Sequence, residues 1–205
     1  MIVIAIGTER KLFSQNPTRD RILSVVSGVE KYHAIVFTLA KDKFEPQTIA
    51  NAFFHPTNSK LKIFYIFDAI KVGFGILKGF TKPDKRKTVI STQDPFECGF
   101  VGLVLSKISR VALHVQIHTD LFSPFFKNTF LQSIRMCIAP YVIKSAKSIR
   151  CDSKRMKDGI LKRNWSNAPL EVLPIFIDIE KYGKDPTLDV HTLFSEKRFV
   201  MLMAS

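Results

Sequence analysis

Apolar residues in this chain alternate between short β-rich runs and longer stretches at helical spacing. Met1–Ile6 (MIVIAI) is continuously apolar and ends in Gly7, as a strand buried on both faces does. A polar loop follows, Thr8–Asn16, carrying Arg10 and Lys11. Pro17 stands at a first helical position with Asn16 as its cap, and Ile22, Leu23, Val25, Val26 and Val29 recur as one apolar helix face. His33–Leu39 is the next strand, so the chain opens as a βαβ unit. Ala40–Lys60 is irregular around Pro46 and Pro56. Leu61–Phe67 (LKIFYIF) predicts a strand, with Asp68 capping a helix to Leu77, and Lys78–Lys87 predicts a basic, turn-rich connection.

The centre of the pattern is Thr88–Ser123. Thr88–Thr92 is a strand candidate, broken by Gln93-Asp94-Pro95, with Asp94 a possible N-cap and Pro95 a first helical residue. Phe100, Val101, Val104, Leu105 and Ile108 recur at helical spacing, and Val111–Ile117 is a second strand that stops at His118-Thr119-Asp120. Pro124–Lys147 predicts a long helix with a basic face, interrupted at Pro140. Ser148–Cys151, a helix that Asp152-Ser153 starts and Arg155–Arg163 continues, and a strand at Leu170–Leu173 complete the order. The expected fold is α/β: a Rossmann-like parallel sheet with helices on both faces, over residues 1–182. Residues 183–198 read as a polar linker, and 199–205 as the start of another strand.

Composition changes this picture in one respect. The apolar content of 46% and charged content of 24% suit a folded domain, but the net charge is +13. Such a surface attracts phosphates, nucleotides, nucleic acid or an anionic membrane. Nucleic acid is the weakest of these partners, because no recognised DNA- or RNA-binding motif occurs. Cys98, Cys137 and Cys151 are scattered without CxxC spacing, which predicts neither a zinc site nor a disulfide framework and fits a reducing, cytoplasmic setting. No run approaches the about 18 apolar residues of a spanning helix.

Several chemistries drop out. GxGxxG does not follow the first strand, and neither GxSxG nor GxxxxGK[ST] occurs. His114 and His118 lie four apart on a strand, without HExxH. Ligands of open parallel sheets bind outside the carboxyl ends of the strands, where Asp94 and His118 fall. His118 is the best single candidate: it could donate to a sugar hydroxyl or a phosphate. A structural histidine holding its loop, with Asp120 as partner, is the competing reading.

Asp94-Pro95-Phe96-Glu97-Cys98-Gly99, followed by His118-Thr119-Asp120, resembles the amino-terminal, acceptor-side domain of family 4 glycosyltransferases, a retaining group of GT-B fold. Gly7–Phe13, Cys151–Ile160 and Pro174–Tyr182 match in the same order. The resemblance implies transfer of a sugar from a nucleotide-sugar to a glycan, lipid-linked or cell-envelope acceptor, without metal or other cofactor. It places His118 and Asp120 at the transferred sugar. Gly7, Arg10, Lys11 and Arg19 would approach the diphosphate or the acceptor. Asp94 and Glu97 would shape the cleft wall, with Thr119 and Ser153 facing it. Residues 199–205 would be the first strand of a donor domain whose remainder lies outside this sequence, so this chain alone is expected to be inactive. The first loop departs from the family in having no Gly-Gly pair. The expected place is the cytoplasm, peripherally on the inner face of the cell membrane. A second class stays open: a non-catalytic basic α/β module that binds an anionic membrane or polymer in a salt-sensitive way.

Overall fold

Eight strands form one sheet in the order β3-β4-β2-β1-β5-β6-β7-β8. The computed structural model describes residues 1–124, 126, 129–174, 192 and 196. The strands are β1 (Ile2–Gly7), β2 (Lys31–Val36), β3 (Gln47–Ile49), β4 (Ala52–Pro56), β5 (Thr88–Thr92), β6 (Ala112–Ile117), β7 (Ser148–Cys151) and β8 (Leu170–Val172). The helices are α1 (Pro17–Val26), α2 (Tyr65–Lys78), α3 (Lys82–Arg86), α4 (Glu97–Ser109), α5 (Phe130–Ser145) and α6 (Lys154–Lys162). Neighbouring strands are parallel except for β3 against β4. Met1–Pro174 form one compact unit. The expected linker and following strand, 183–205, lie outside the described residues apart from Thr192 and Glu196.

Burial alternates along β1, β4, β5, β6 and β7, so β1 is not buried on both faces as its continuous apolar run predicts, whereas β2 is buried on both sides from His33 to Val36. Ile4, Ile6, Ile90, Leu113, Val115 and Ile149 point into one core with residues of α2, α4, α5 and α6. Burying one such side chain contributes about 1.5–3 kcal/mol. A one-residue slip would send the whole set to the other side, which fixes the register. On the opposite side Ala34, Val36 and Phe54 pack with Leu12, Phe13 and Val26 under α1. Over β5, β6 and β7 that side is only half-buried, and there the strands carry Ser91, His114, Gln116, Ser148 and Arg150. Helices thus cover both faces, but unequally.

Several local expectations change. Leu61–Phe67 is not a strand: Lys62–Phe64 is a 3-10 turn and α2 begins at Tyr65, ahead of Asp68. Leu61, Ile63 and Phe67 are exposed. The apolar residues of that segment recur at helical spacing across Ala69, Gly73 and Leu77, which are buried, and tertiary packing selects that period. The strand lies earlier, at β4, where fully buried Ala52 and Phe54 pair with β2. Val25 does not join the apolar face of α1; it is 75% exposed. Pro140 sits inside α5 without ending it. Asp94 and Pro95 precede α4 rather than start it: Asp94 Oδ1 accepts from the Phe96 N–H at 2.7 Å, closing a turn, and the helix begins at Glu97. The basic connection contains α3, which the Thr81 hydroxyl caps through the Asp84 N–H.

Candidate functional site

From β1 the chain builds outward through β2 and β4. It then returns to pair β5 with the other flank of β1 and builds the opposite way. That reversal opens a crevice at the carboxyl ends of β1 and β5, the usual ligand position in an open α/β sheet. Gly7 and Gln93 stand there. Gln93 Oε1 accepts from the Thr8 N–H at 2.9 Å, and a Cβ on Gly7 would meet that oxygen at 2.6 Å. A side chain at residue 7 would require the Gln93 amide to move away from the Thr8 N–H.

A cavity of about 600 Å³ runs from this point along the α1 side of the sheet. Val3, Ala5, Ile22 and Tyr32 give it an apolar wall, and Ser91, Gln116 and Arg150 a polar floor. Arg150 donates from Nη2 to Leu173 O at 3.3 Å, while its Nε is buried without a partner.

His118 stands at the end of β6. Its Nδ1 lies 3.1 and 3.2 Å from the two carboxylate oxygens of Asp152, and its Nε2 lies 3.1 Å from Gln116 Oε1. Gln116 in turn donates from Nε2 to Ser91 Oγ at 3.1 Å. An imidazolium satisfies both ring contacts at once, whereas a neutral ring satisfies one. A polar chain, Asp152–His118–Gln116–Ser91, thus crosses the ends of β7, β6 and β5 and enters the cavity through Gln116. His118 itself is not among the residues lining that cavity.

The other expected residues take separate positions. Asp120 does not hold His118: its Oδ1 accepts from the Phe122 N–H at 3.0 Å, and its Oδ2 lies 3.3 Å from Arg155 Nη1. Thr119 is exposed beside them. Arg10 ties three elements together, through Asp42 Oδ2 at 3.1 Å, the Tyr65 hydroxyl at 2.9 Å and Phe37 O at 3.4 Å. Lys11 is exposed. Arg19 lies in the first turn of α1, its Nε buried without a partner. Glu97 accepts from Arg135 Nε at 2.9 and 3.1 Å and so joins α4 to α5. Ser153 caps α6 by accepting from the Met156 N–H at 3.3 Å. Burial raises the pKa of Asp94 from its ordinary value, against the lowering effect of the Phe96 N–H. Among the described residues, no group of three or more His, Cys, Asp and Glu side chains could hold a metal ion.

Asp152 and Gln116 are the site residues that sequence reasoning missed. Both carry a signal. Gln116 shares a strand face with His118 by period-two alternation. Asp152 directly follows β7, whose Cys151 is in register with Ile117 of β6. Once β6 and β7 are neighbours, residues 118 and 152 must emerge side by side.

Neither a protein-family model nor a curated protein sequence matches this chain. Solved structures do. Trehalose-6-phosphate from Escherichia coli bound with UDP-2-fluoro glucose aligns with 96% of this chain and 53% of its own, at 8% identity and TM-score 0.59. Sucrose-phosphate synthase from Thermosynechococcus elongatus aligns over 89% of this chain and 93% of its own, at 11% identity and TM-score 0.58. UDP-GlcNAc 2-epimerase from Methanocaldococcus jannaschii aligns over 83% and 44%, at 11% identity and TM-score 0.53.

The fold is a Rossmann-like, GT-B-type domain.

At such identities the likeness is one of architecture. This chain spans 53% of the trehalose-6-phosphate structure and 44% of the epimerase, the extent of one GT-B-type domain.

Proposed function

We propose that this domain is the acceptor-side half of a nucleotide-sugar-dependent glycosyltransferase of the retaining, family 4 type. The observation that carries the reading is the placement of His118. It stands at the carboxyl edge of the sheet in a GT-B-type fold, held from behind by Asp152. With Nδ1 anchored on Asp152, Nε2 is free to exchange Gln116 for a ligand oxygen, a sugar hydroxyl or a phosphate. Such a donor, fixed before the ligand arrives, stabilises developing negative charge without reorganisation. Asp120 and Thr119 would shape the approach to it, and the Gly7–Lys11 loop with Arg19 would border the donor's diphosphate.

The test uses the full-length protein to which this sequence belongs. It should release nucleoside diphosphate from a nucleotide-sugar, and His118→Ala should slow the release by about a hundredfold or more, in the range of a lost positioned proton donor. Full-length protein that releases no nucleoside diphosphate from any of a panel of UDP-, GDP-, ADP- and dTDP-sugars would sink the proposal.

A further inference from the structure

Helices α2, α4 and α5 lie side by side over one face of the sheet, and their outer surfaces are unusually apolar for a solvent-facing layer. Phe67 is 67% exposed, Phe74 47%, Phe130 83% and Tyr141 72%. In α2 the exposed residues Phe67, Lys71, Phe74 and Lys78 fall at helical spacing on one stripe, aromatic and lysine alternating. Lys107 of α4 and Lys144 of α5 are exposed in the same layer. The three helices hold two carboxylates. Glu97 is paired with Arg135, and Asp68 is half-buried. The layer therefore shows bulky apolar groups and free ammonium groups, with no exposed carboxylate among them.

The bulk is unevenly placed. Each of these helices follows a strand and runs back along the sheet, so its N-terminal end lies at the carboxyl edge. There the layer exposes Ile63, Phe64 and Phe67 at the start of α2, Phe100 in α4, and Phe130 and Leu131 in α5. Lys71, Lys78, Lys107 and Lys144 follow toward the other ends, with Lys62 exposed at the rim itself and Ile108 and Tyr141 exposed beyond it. We infer that this layer docks on an anionic lipid bilayer, with the aromatic rim entering the interface and the lysines over the headgroups. Charge decides the occupant. A second copy would bring the same lysines against themselves, whereas an anionic bilayer complements them. Aliphatic Ile63 and Leu131 beside the phenylalanines suit acyl chains better than the base-stacking platform of a single-stranded nucleic acid. The rim adjoins the edge that carries His118, so docking presents the site to an amphiphilic acceptor held in the same bilayer. That last step rests on the glycosyltransferase reading; the docking itself does not.

Binding of the chain to vesicles, measured by co-sedimentation without any nucleotide-sugar, tests it independently of transfer. The chain should bind vesicles of phosphatidylcholine mixed with phosphatidylglycerol, bind pure phosphatidylcholine weakly, and lose affinity as salt rises. Phe67→Ser with Phe74→Ser should weaken binding by about tenfold or more, since each ring loses its burial in the apolar part of the interface. Lys71→Glu with Lys78→Glu should weaken it by a similar factor, since attraction to the anionic headgroups becomes repulsion. Arg21→Glu, on α1 across the sheet, should change it by less than about twofold if the α2 stripe rather than overall charge binds. These side chains are exposed, so circular dichroism should show unchanged folding. Three results overturn the inference. One is stripe variants that bind like the parent, or Arg21→Glu weakening binding as they do. Another is a concentration-dependent dimer that the Phe67/Phe74 pair abolishes while vesicles go unbound. The third is capture by a single-stranded oligonucleotide in preference to vesicles.

Discussion

His118 Nδ1 lies 3.1 Å from Asp152 Oδ1, although the two residues are 34 positions apart in the chain. The contact exists because parallel strands β6 and β7 end level with each other. It calls for a proton on Nδ1, while the contact of Nε2 with Gln116 Oε1 calls for a second one on the ring. In Asp152→Asn the anionic acceptor is lost, and the ring should redistribute toward the Nε2–H tautomer. Long-range proton–nitrogen correlation spectra of the imidazole report this directly. Ring nitrogen shifts identical to the parent's would show that the pair does not form in solution. Stability should change by less than about 1 kcal/mol, because the pair is partly exposed.

Two glycines should respond in opposite directions to the same substitution. A Cβ at Gly99 would lie 2.8 Å from Asp94 O and 2.8 Å from Val142 Cγ1, so α4 can approach the turn and α5 only with glycine there. Gly99→Ala should cost about 1–3 kcal/mol. Gly75, on the exposed face of α2, has nothing within 4 Å of the equivalent point. Gly75→Ala should stabilise by about 0.5–1 kcal/mol through helix propensity. Urea midpoints of the two variants, moving apart on either side of the parent, check both; movement in the same direction would contradict the packing described.

Acid should destabilise the fold through a buried histidine pair. His33, only 8% exposed, stacks on Phe53 and places Nδ1 3.2 Å from His55 Nε2. Burial, with smaller repulsion from His55 and Lys31, pushes the His33 pKa down to about 4 from an ordinary 6.5. Burial lowers that of His55 too. The unfolded chain therefore takes up protons that the folded chain refuses. Stability is full above about pH 6.5 and falls as pH drops toward about 4, by up to about 3 kcal/mol for His33. Glu30 and Asp84, whose pKa values are lowered by Lys87 and by Thr81 respectively, act at still lower pH. Thermal melts between pH 7 and pH 4.5 should show the decline, and His33→Phe should flatten it. An undiminished slope in that variant would assign the effect elsewhere.

Arg10 should prove a clamp more than a ligand. Its guanidinium reaches Asp42, Tyr65 and Phe37 O from the loop after β1. Arg10→Ala should lower stability by about 1–2 kcal/mol, and Arg10→Lys should recover little, because an ammonium cannot span three separate acceptors. Full stability in Arg10→Ala, measured by chemical denaturation, would leave the residue's role to ligand binding.

The succession of elements was legible along the chain wherever one period dominated. β1, α1, β5, β6, β7, α6 and β8 sit where short apolar and β-rich runs, the Asn16-Pro17 start and the Asp152-Ser153 start place them. It failed at Leu61–Phe67, where apolar residues crowd so densely that strand and helix periods both fit. Burial of Ala69, Gly73 and Leu77 settles the choice. His118 and Asp94 were legible as residues at strand ends, which is a property of local sequence.

Their partners were not. That Asp152 rather than Asp120 meets His118, that Gln116 links it to Ser91, and that Arg10 and Glu97 are held by Asp42 and Arg135 all depend on which strands and helices become neighbours. A strand's own pattern fixes which side it buries, because alternation is local. Neighbour order is set by how distant apolar faces pack together, and no stretch of sequence carries that by itself. For this protein, sequence alone determined a parallel α/β domain with a polar residue after each central strand. Only the tertiary structure decided which of those residues face one another.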